Sequence, residues 1–207
     1  IRDIENLQVS LGFGNDVFQL GNGTYRQNII VNGGPGEEIF NIGDDVTTQQ
    51  TVTLNGNQGN DLLYVNYTQG APAGTTAITF NGGEHEAGGE GDGDMMRFEG
   101  DGVLSGEYRP SPYMARSGNV IIQGNDFSFT GVEPVVVNGF GAFEMIGTDA
   151  ITDYAIESVA VAELDLTALV LHVVMVDGVI SWRQQVKLEG IEAVDTNSYG
   201  QAFSWDG

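Results

Sequence analysis

The chain has 207 residues, 41% of them hydrophobic, which is enough for one domain with a real core and too apolar for a disordered tail. Its formal net charge is −22, from 29 acidic and 7 basic residues, a balance that repels nucleic acid and anionic membranes and attracts cations. Cysteine is absent, which excludes a disulfide scaffold or a thiolate metal site, and no run reaches the ~18 apolar residues of a membrane-spanning helix.

Glycine numbers 31, about twice its usual share of roughly 7%, and it recurs at regular places. The first segment alternates Leu7, Val9, Leu11 and runs into the corner Gly12-Phe13-Gly14-Asn15-Asp16-Val17-Phe18. Alternation of this kind predicts a strand with one buried face. Next come Ile30-Val31-Asn32-Gly33 and the corner Gly34-Pro35-Gly36-Glu37-Glu38-Ile39-Phe40, with Asp44 and Asp45 beyond. Thr53-Leu54-Asn55-Gly56 leads into Asn57-Gln58-Gly59-Asn60-Asp61-Leu62-Leu63, and Thr79-Phe80-Asn81-Gly82 follows. Asn32 to Asn55 is 23 residues and Asn55 to Asn81 is 26; Gly14, Gly36 and Gly59 step by 22 and 23. A strand–turn–strand unit repeating at this period suits one coil of a stack, in which each coil buries its apolar face against the next. Recurring Asn, in line from coil to coil, would form a side-chain amide ladder.

Residues 84–117 disturb the rhythm. Glu90, Asp92 and Asp94 enlarge a glycine-rich turn, and Arg109-Pro110-Ser111-Pro112 makes a loop, so this segment reads as an insertion or side excursion. Val120 resumes the strands, Ile121-Ile122-Gln123-Gly124 nearly repeats the Asn-Gly ending, and Val136-Val137-Asn138-Gly139 repeats it. A weaker motif, apolar-Glu-any-apolar, recurs at Ile4, Val132, Ile156 and Ile191 and reads as the start of a coil. Tyr154 to Val176 is dense in β-branched residues and alternates, which favours strands over a capping helix. The expected fold is therefore all-β: a parallel β-helix or β-solenoid with coils of roughly 22–26 residues, with a β-sandwich as the alternative. Residues 1–207 form a single domain in this reading. Residues 1–105 are its acidic half, 84–117 the excursion, and 118–207 the coils with fewer acidic turns. Without an initiator Met or a signal peptide, the chain is expected to begin mid-protein.

Ca²⁺ takes six to eight oxygen ligands from carboxylates, carbonyls and water, and glycine corners can turn several carbonyls inward. The corners therefore offer Asn15, Asp16, Glu37, Glu38, Asp44, Asp45, Asn60, Asp61, Asp92 and Asp94 as candidate ligands. Three sets of residues — Gly12, Gly14, Asp16, Phe18; Gly33, Gly34, Gly36, Glu38, Phe40; and Gly56, Gly59, Asp61, Leu63 — resemble the nonapeptide of RTX-type calcium-binding repeats found in large bacterial secreted and adhesin-like proteins. That resemblance, which covers roughly residues 11–100, implies Ca²⁺ held between successive coils by Asp16 and Asp61, and less securely by Glu38. The nonapeptides are not in tandem, the period is over twice as long, and only one acidic turn occurs per coil.

The function expected is a non-enzymatic structural segment of a secreted or cell-surface protein, stabilised by calcium and able to self-associate end to end into a fibre. The alternative is an adhesin module that recognises a glycan or partner surface through Met95, Met96, Tyr108, Tyr113 and Met114 of the excursion. A polysaccharide-active enzyme ranks below both, because the seven basic residues form no pair at coil spacing. His85 and His172 have no spacing partner and read as structural. Nucleic acid and membrane insertion are not expected.

Overall fold

The structure is a computed structural model that describes residues 4–71, 75–84, 93–111, 113–114, 116–146, 152–162, 165–176, 179–189 and 194–197. Its strands, in chain order, are β1 (Asn6–Ser10), β2 (Val17–Leu20), β3 (Gly23–Tyr25), β4 (Asn28–Asn32), β5 (Ile39–Ile42), β6 (Val46–Thr48), β7 (Val52–Gln58), β8 (Leu62–Asn66), β9 (Ala77–Glu84) and β10 (Asp94–Glu99). They continue as β11 (Ser105–Pro110), β12 (Gly118–Ile122), β13 (Asn125–Thr130), β14 (Val132–Asn138), β15 (Ala142–Ile146), β16 (Thr152–Ala162), β17 (Asp165–Val176), β18 (Val179–Glu189) and β19 (Val194–Asn197). No helix occurs among the described residues.

Two open sheets carry most of the chain. The first has the order β1-β4-β7-β9-β13-β12-β11-β15-β19, the second β16-β17-β18-β14-β10-β8-β5-β2, and β3 and β6 form a small third sheet. Up to β10 the chain visits the two large sheets in alternation, and every pair is parallel. In the first sheet Leu7 pairs with Ile29, Ile29 with Val52 and Val52 with Ile78. In the second Val17 pairs with Ile39, Ile39 with Leu62 and Leu62 with Met95.

Alternation puts one face of each strand inside. Val31, Leu54, Phe80 and Phe129 of the first sheet meet Phe40, Leu63, Met96 and Phe98 of the second in one buried core. Aromatic edges set the contacts: Phe40 meets Phe80 at 5.8 Å and Phe98 meets Phe127 at 5.1 Å, both edge-on. Each such side chain contributes ~1.5–3 kcal/mol on burial.

The expected amide ladder is present. The Asn55 amide donates to Asn32 Oδ1 at 2.9 Å, the Asn81 amide to Asn55 Oδ1 at 2.8 Å, and the Thr130 hydroxyl to Asn81 Oδ1 at 2.9 Å. The fourth Asn-Gly departs from this pattern. Asn138 ends β14 in the second sheet, where its amide donates to Glu99. Gln123-Gly124 does not end a parallel strand of the repeat either. Both residues have positive φ, 50° and 83°, which is the geometry of a tight hairpin turn, and β12 and β13 pair antiparallel across it.

The segment 84–117 contributes to both large sheets. β10 lies between β8 and β14, and β11, β12 and β13 form an antiparallel meander that takes the place of one strand between β9 and β15. The strands β16, β17 and β18 repeat the device in the second sheet, so the described residues of 154–176 are strands. Among the described residues the apolar-Glu motif has no common position: Ile4 precedes β1, Val132 opens β14 and Ile156 lies within β16, while Ile191 lies outside the described residues.

Candidate functional site

The second sheet begins each of its first four strands with an acid. Asp16, Glu38 and Asp61 immediately precede β2, β5 and β8, and Asp94 is the first residue of β10. Parallel register stacks them in one row, neighbours one strand apart, or ~4.8 Å. Glu38, Asp61 and Asp94 are 0%, 1% and 0% exposed.

Main-chain amides tie the row together. Glu38 N–H donates to Asp61 Oδ1 at 2.7 Å, and Asp61 N–H donates to Asp94 Oδ1 at 2.8 Å. The other oxygens have no such partner: Asp16 Oδ2, both Glu38 Oε atoms, Asp61 Oδ2 and Asp94 Oδ2 are buried without a hydrogen bond. An orphaned buried carboxylate oxygen costs several kcal/mol unless a proton or cation meets it.

The Asn-Gly glycines make room for this row. A Cβ on Gly33 would lie 2.8 Å from Glu38 Oε2 and 2.5 Å from Gly56 O. One on Gly56 would overlap Asp61 Oδ2 and lie 2.5 Å from Gly82 O, and one on Gly82 would overlap Asp94. Carboxylate and carbonyl oxygens thus face a gap that glycine alone leaves open.

Burial pushes the Glu38 carboxyl up from 4.5 to about 8, and the adjoining Asp61 and Asp16 carboxylates push the same way. Burial also raises Asp94 from 3.8 to about 6; the Asp61 N–H and the Arg116 charge oppose the rise. Both groups are therefore easier to keep neutral than ordinary acids.

The pattern is inverted relative to an ordinary strand. In all four rungs the acid turns inward, while the next residue, Val17, Ile39, Leu62 or Met95, lies outside the core. Val17 is 65% exposed and Ile39 38%. A fourfold exchange of polar and apolar positions marks the row as a built feature.

The ten candidate ligands divide accordingly. Asp16, Glu38, Asp61 and Asp94 come together in the row. Asn15, Glu37, Asn60 and Asp45 are exposed and Asp44 is half-buried. Asn15 Oδ1 accepts the Glu37 amide at 3.1 Å, and the Asn22 amide donates to Asp44 at 2.9 Å, so these acids lie along the outside between successive repeats. Asp92, with Glu90, lies outside the described residues. No three His, Asp or Glu side chains gather at one point among the described residues; the acids are strung out in a line. Of the excursion's aromatic residues, Tyr108 is fully buried and stacked on Phe129 at 6.2 Å, whereas Tyr113 is 91% exposed.

The acids are visible in the sequence as residue types, but that four of them share one row is not. The signal is an acid directly before an apolar pair, five residues after Gly33 and again after Gly56. Nothing in the sequence marks Arg116, whose charge acts on Asp94.

No protein-family model, curated protein or solved structure matches the chain.

Proposed function

We propose that the chain is a β-solenoid serving as a non-enzymatic structural segment of a secreted or cell-surface protein, with calcium neutralising its buried acid row. The single observation that carries this reading is the set of orphaned oxygens on Glu38, Asp61 and Asp94. Parallel pairing at one-coil offsets supports the solenoid, as does the passage of the chain from one sheet to the other within each repeat.

The donors fit a hard cation in kind. Asp61 Oδ2 with Gly82 O, and Glu38 Oε2 with Gly56 O, face common gaps, and water would complete a shell of six to eight oxygens. Bound calcium would join adjacent coils and offset the repulsion between aligned carboxylates. Folding would then be favoured in calcium-rich surroundings outside the cell.

Among the described residues β1 and β2 each end a large sheet, and a second copy pairing there would extend the sheets, the basis for end-to-end assembly. A binding-module reading draws on a different observation: Val103, Tyr113 and Met114 are 82%, 91% and 55% exposed in the loops flanking β11.

Melting the chain in calcium, in magnesium and in chelator tests the main reading. Calcium at 100 times its Kd stabilises by ~2.7 kcal/mol, a rise in midpoint of roughly 5–10 °C. Superimposable curves in calcium and chelator would remove calcium from the proposal.

A further inference from the structure

The core is open where β1 and β2 end the two large sheets. Leu7 stands in register with Ile29, and Ile29 with Val52, yet Leu7 is 43% exposed where they are 2% and 0%. Val9 and Phe18 are half-buried, whereas their partners Val31 and Phe40 are 0% exposed. Inward positions of the first repeat thus lack the cover that a neighbouring repeat gives to every later one. The main chain of this edge also turns outward. Asn28 N–H donates to Glu5 O and Leu11 N–H to Asn32 O, so the odd-numbered residues of this strand face β4. Alternation along the strand directs the amides of Asn6, Gln8 and Ser10 the other way.

The far edges match the near ones in direction. In the first sheet β1, β4, β7, β9 and β13 are parallel, two antiparallel pairings follow through β12 to β11, and β15 and β19 are parallel to β11. Two reversals cancel, so β19 runs the same way as β1. In the second sheet the strands from β2 to β18 are parallel, and the two reversals through β17 leave β16 running the same way as β2. Each meander keeps strand direction because it contributes three strands, not two. The side chains share this polarity. Asn28 donates to Asn6 at 3.0 Å, Asn55 to Asn32 and Asn81 to Asn55, each toward the β1 edge.

We propose that the β1/β2 end docks a second copy of this chain by its β19/β16 end, building a polar head-to-tail filament. Such a contact extends both sheets with parallel pairs, as in the first half of the chain, and covers Leu7, Val9 and Phe18. A head-to-head pair would instead set β1 antiparallel to its own copy. The head-to-tail contact is heterologous, so every addition leaves one free end of each kind and growth does not close. This inference rests on the end-to-end assembly of the proposed function and is independent of its calcium.

Sedimentation velocity at rising concentration, in calcium and in chelator, with electron microscopy of the same samples, tests it. Wild type is expected to form unbranched chains that lengthen with concentration. Gln8→Pro removes an outward amide, a change that an edge strand tolerates; it is expected to melt as the wild type does and to stay monomeric. Leu7→Lys, which places a charge at the open core, is expected to act likewise. Gln8→Pro retains its far end, so a minor fraction added to wild type is expected to cap and shorten the chains. A wild type that stays monomeric, or stops at dimers, would overturn the proposal, as would Gln8→Pro chains as long as the wild type's or a mixture left unshortened. Chains equally long in chelator, with superimposable melts, would keep the filament and discard calcium; a calcium-raised midpoint in a strictly monomeric chain would do the reverse.

Discussion

Asp61→Asn is the sharpest probe of the acid row, because Asp61 has a carboxylate on either side. Two unit charges ~4.8 Å apart repel by ~3.5 kcal/mol at an effective dielectric of about 20. At pH 7 Glu38, raised to about 8, is mostly protonated, whereas Asp94, at about 6, is mostly ionised. One repulsive pair therefore dominates, between Asp61 and Asp94. Asparagine removes it and still presents an oxygen to the Glu38 N–H, at a loss of ~1 kcal/mol for a hydrogen bond no longer assisted by charge. In chelator the variant should gain ~2.5 kcal/mol, or about 5–10 °C in midpoint. In calcium the gain should vanish or reverse, because a proposed ligand has been removed. Differential scanning calorimetry at one pH under both conditions reads the two arms. A variant destabilised equally in chelator and calcium would show that the carboxylate acts only through its hydrogen bond, and the electrostatic argument would fail.

Three further outcomes follow from the geometry. Glu38 and Asp94 have raised folded values, so the stability they contribute is fully present below their ordinary 4.5 and 3.8 and is lost as pH rises through about 6 and then about 8; in chelator, urea midpoints should fall across this window, and a flat or rising profile would contradict the buried row. Gly56→Ala should cost ~3 kcal/mol or more, since its Cβ would overlap Asp61 Oδ2, whereas the same change at Gly124, where nothing lies within 4 Å, should cost only the ~1 kcal/mol of its turn conformation. Tyr108→Ala should destabilise by ~3–5 kcal/mol, while Tyr113→Ala should stay within ~0.5 kcal/mol in a melt, so only Tyr113 can report on surface attachment.

Much of the first half was legible because its signals are local and repeated. The spacing of Asn32, Asn55 and Asn81 read directly as an aligned ladder, since parallel in-register strands convert equal sequence steps into contact. The acids at the corners were visible as residue types, but their direction was not. Asp16 and Asn15 are neighbours in sequence, yet one turns inward and the other outward, and that choice depends on where the next strand begins. The meanders were illegible for a different reason. Gln123-Gly124 resembles the other endings in residue type, but left-handed φ at both positions reverses the chain, and that is decided by pairing with distant strands. Arg109 and Pro110 read as the start of a proline-rich loop, whereas β11 runs on through both of them.

Parallel pairing at one-repeat offsets also sets how the molecule would bear load. The hydrogen bonds between β1, β4, β7 and β9 run from repeat to repeat, so a pull in that direction draws on them end-on, one rung after another. Shear, in which all bonds of a strand must break together, would not arise. The stack should peel from a free end at modest force, and each release of a 22-residue repeat such as Leu7 to Ile29 would pay out up to roughly 75 Å of extended chain. Were calcium to bridge adjacent rungs as proposed, it would raise the force of each step without altering its length.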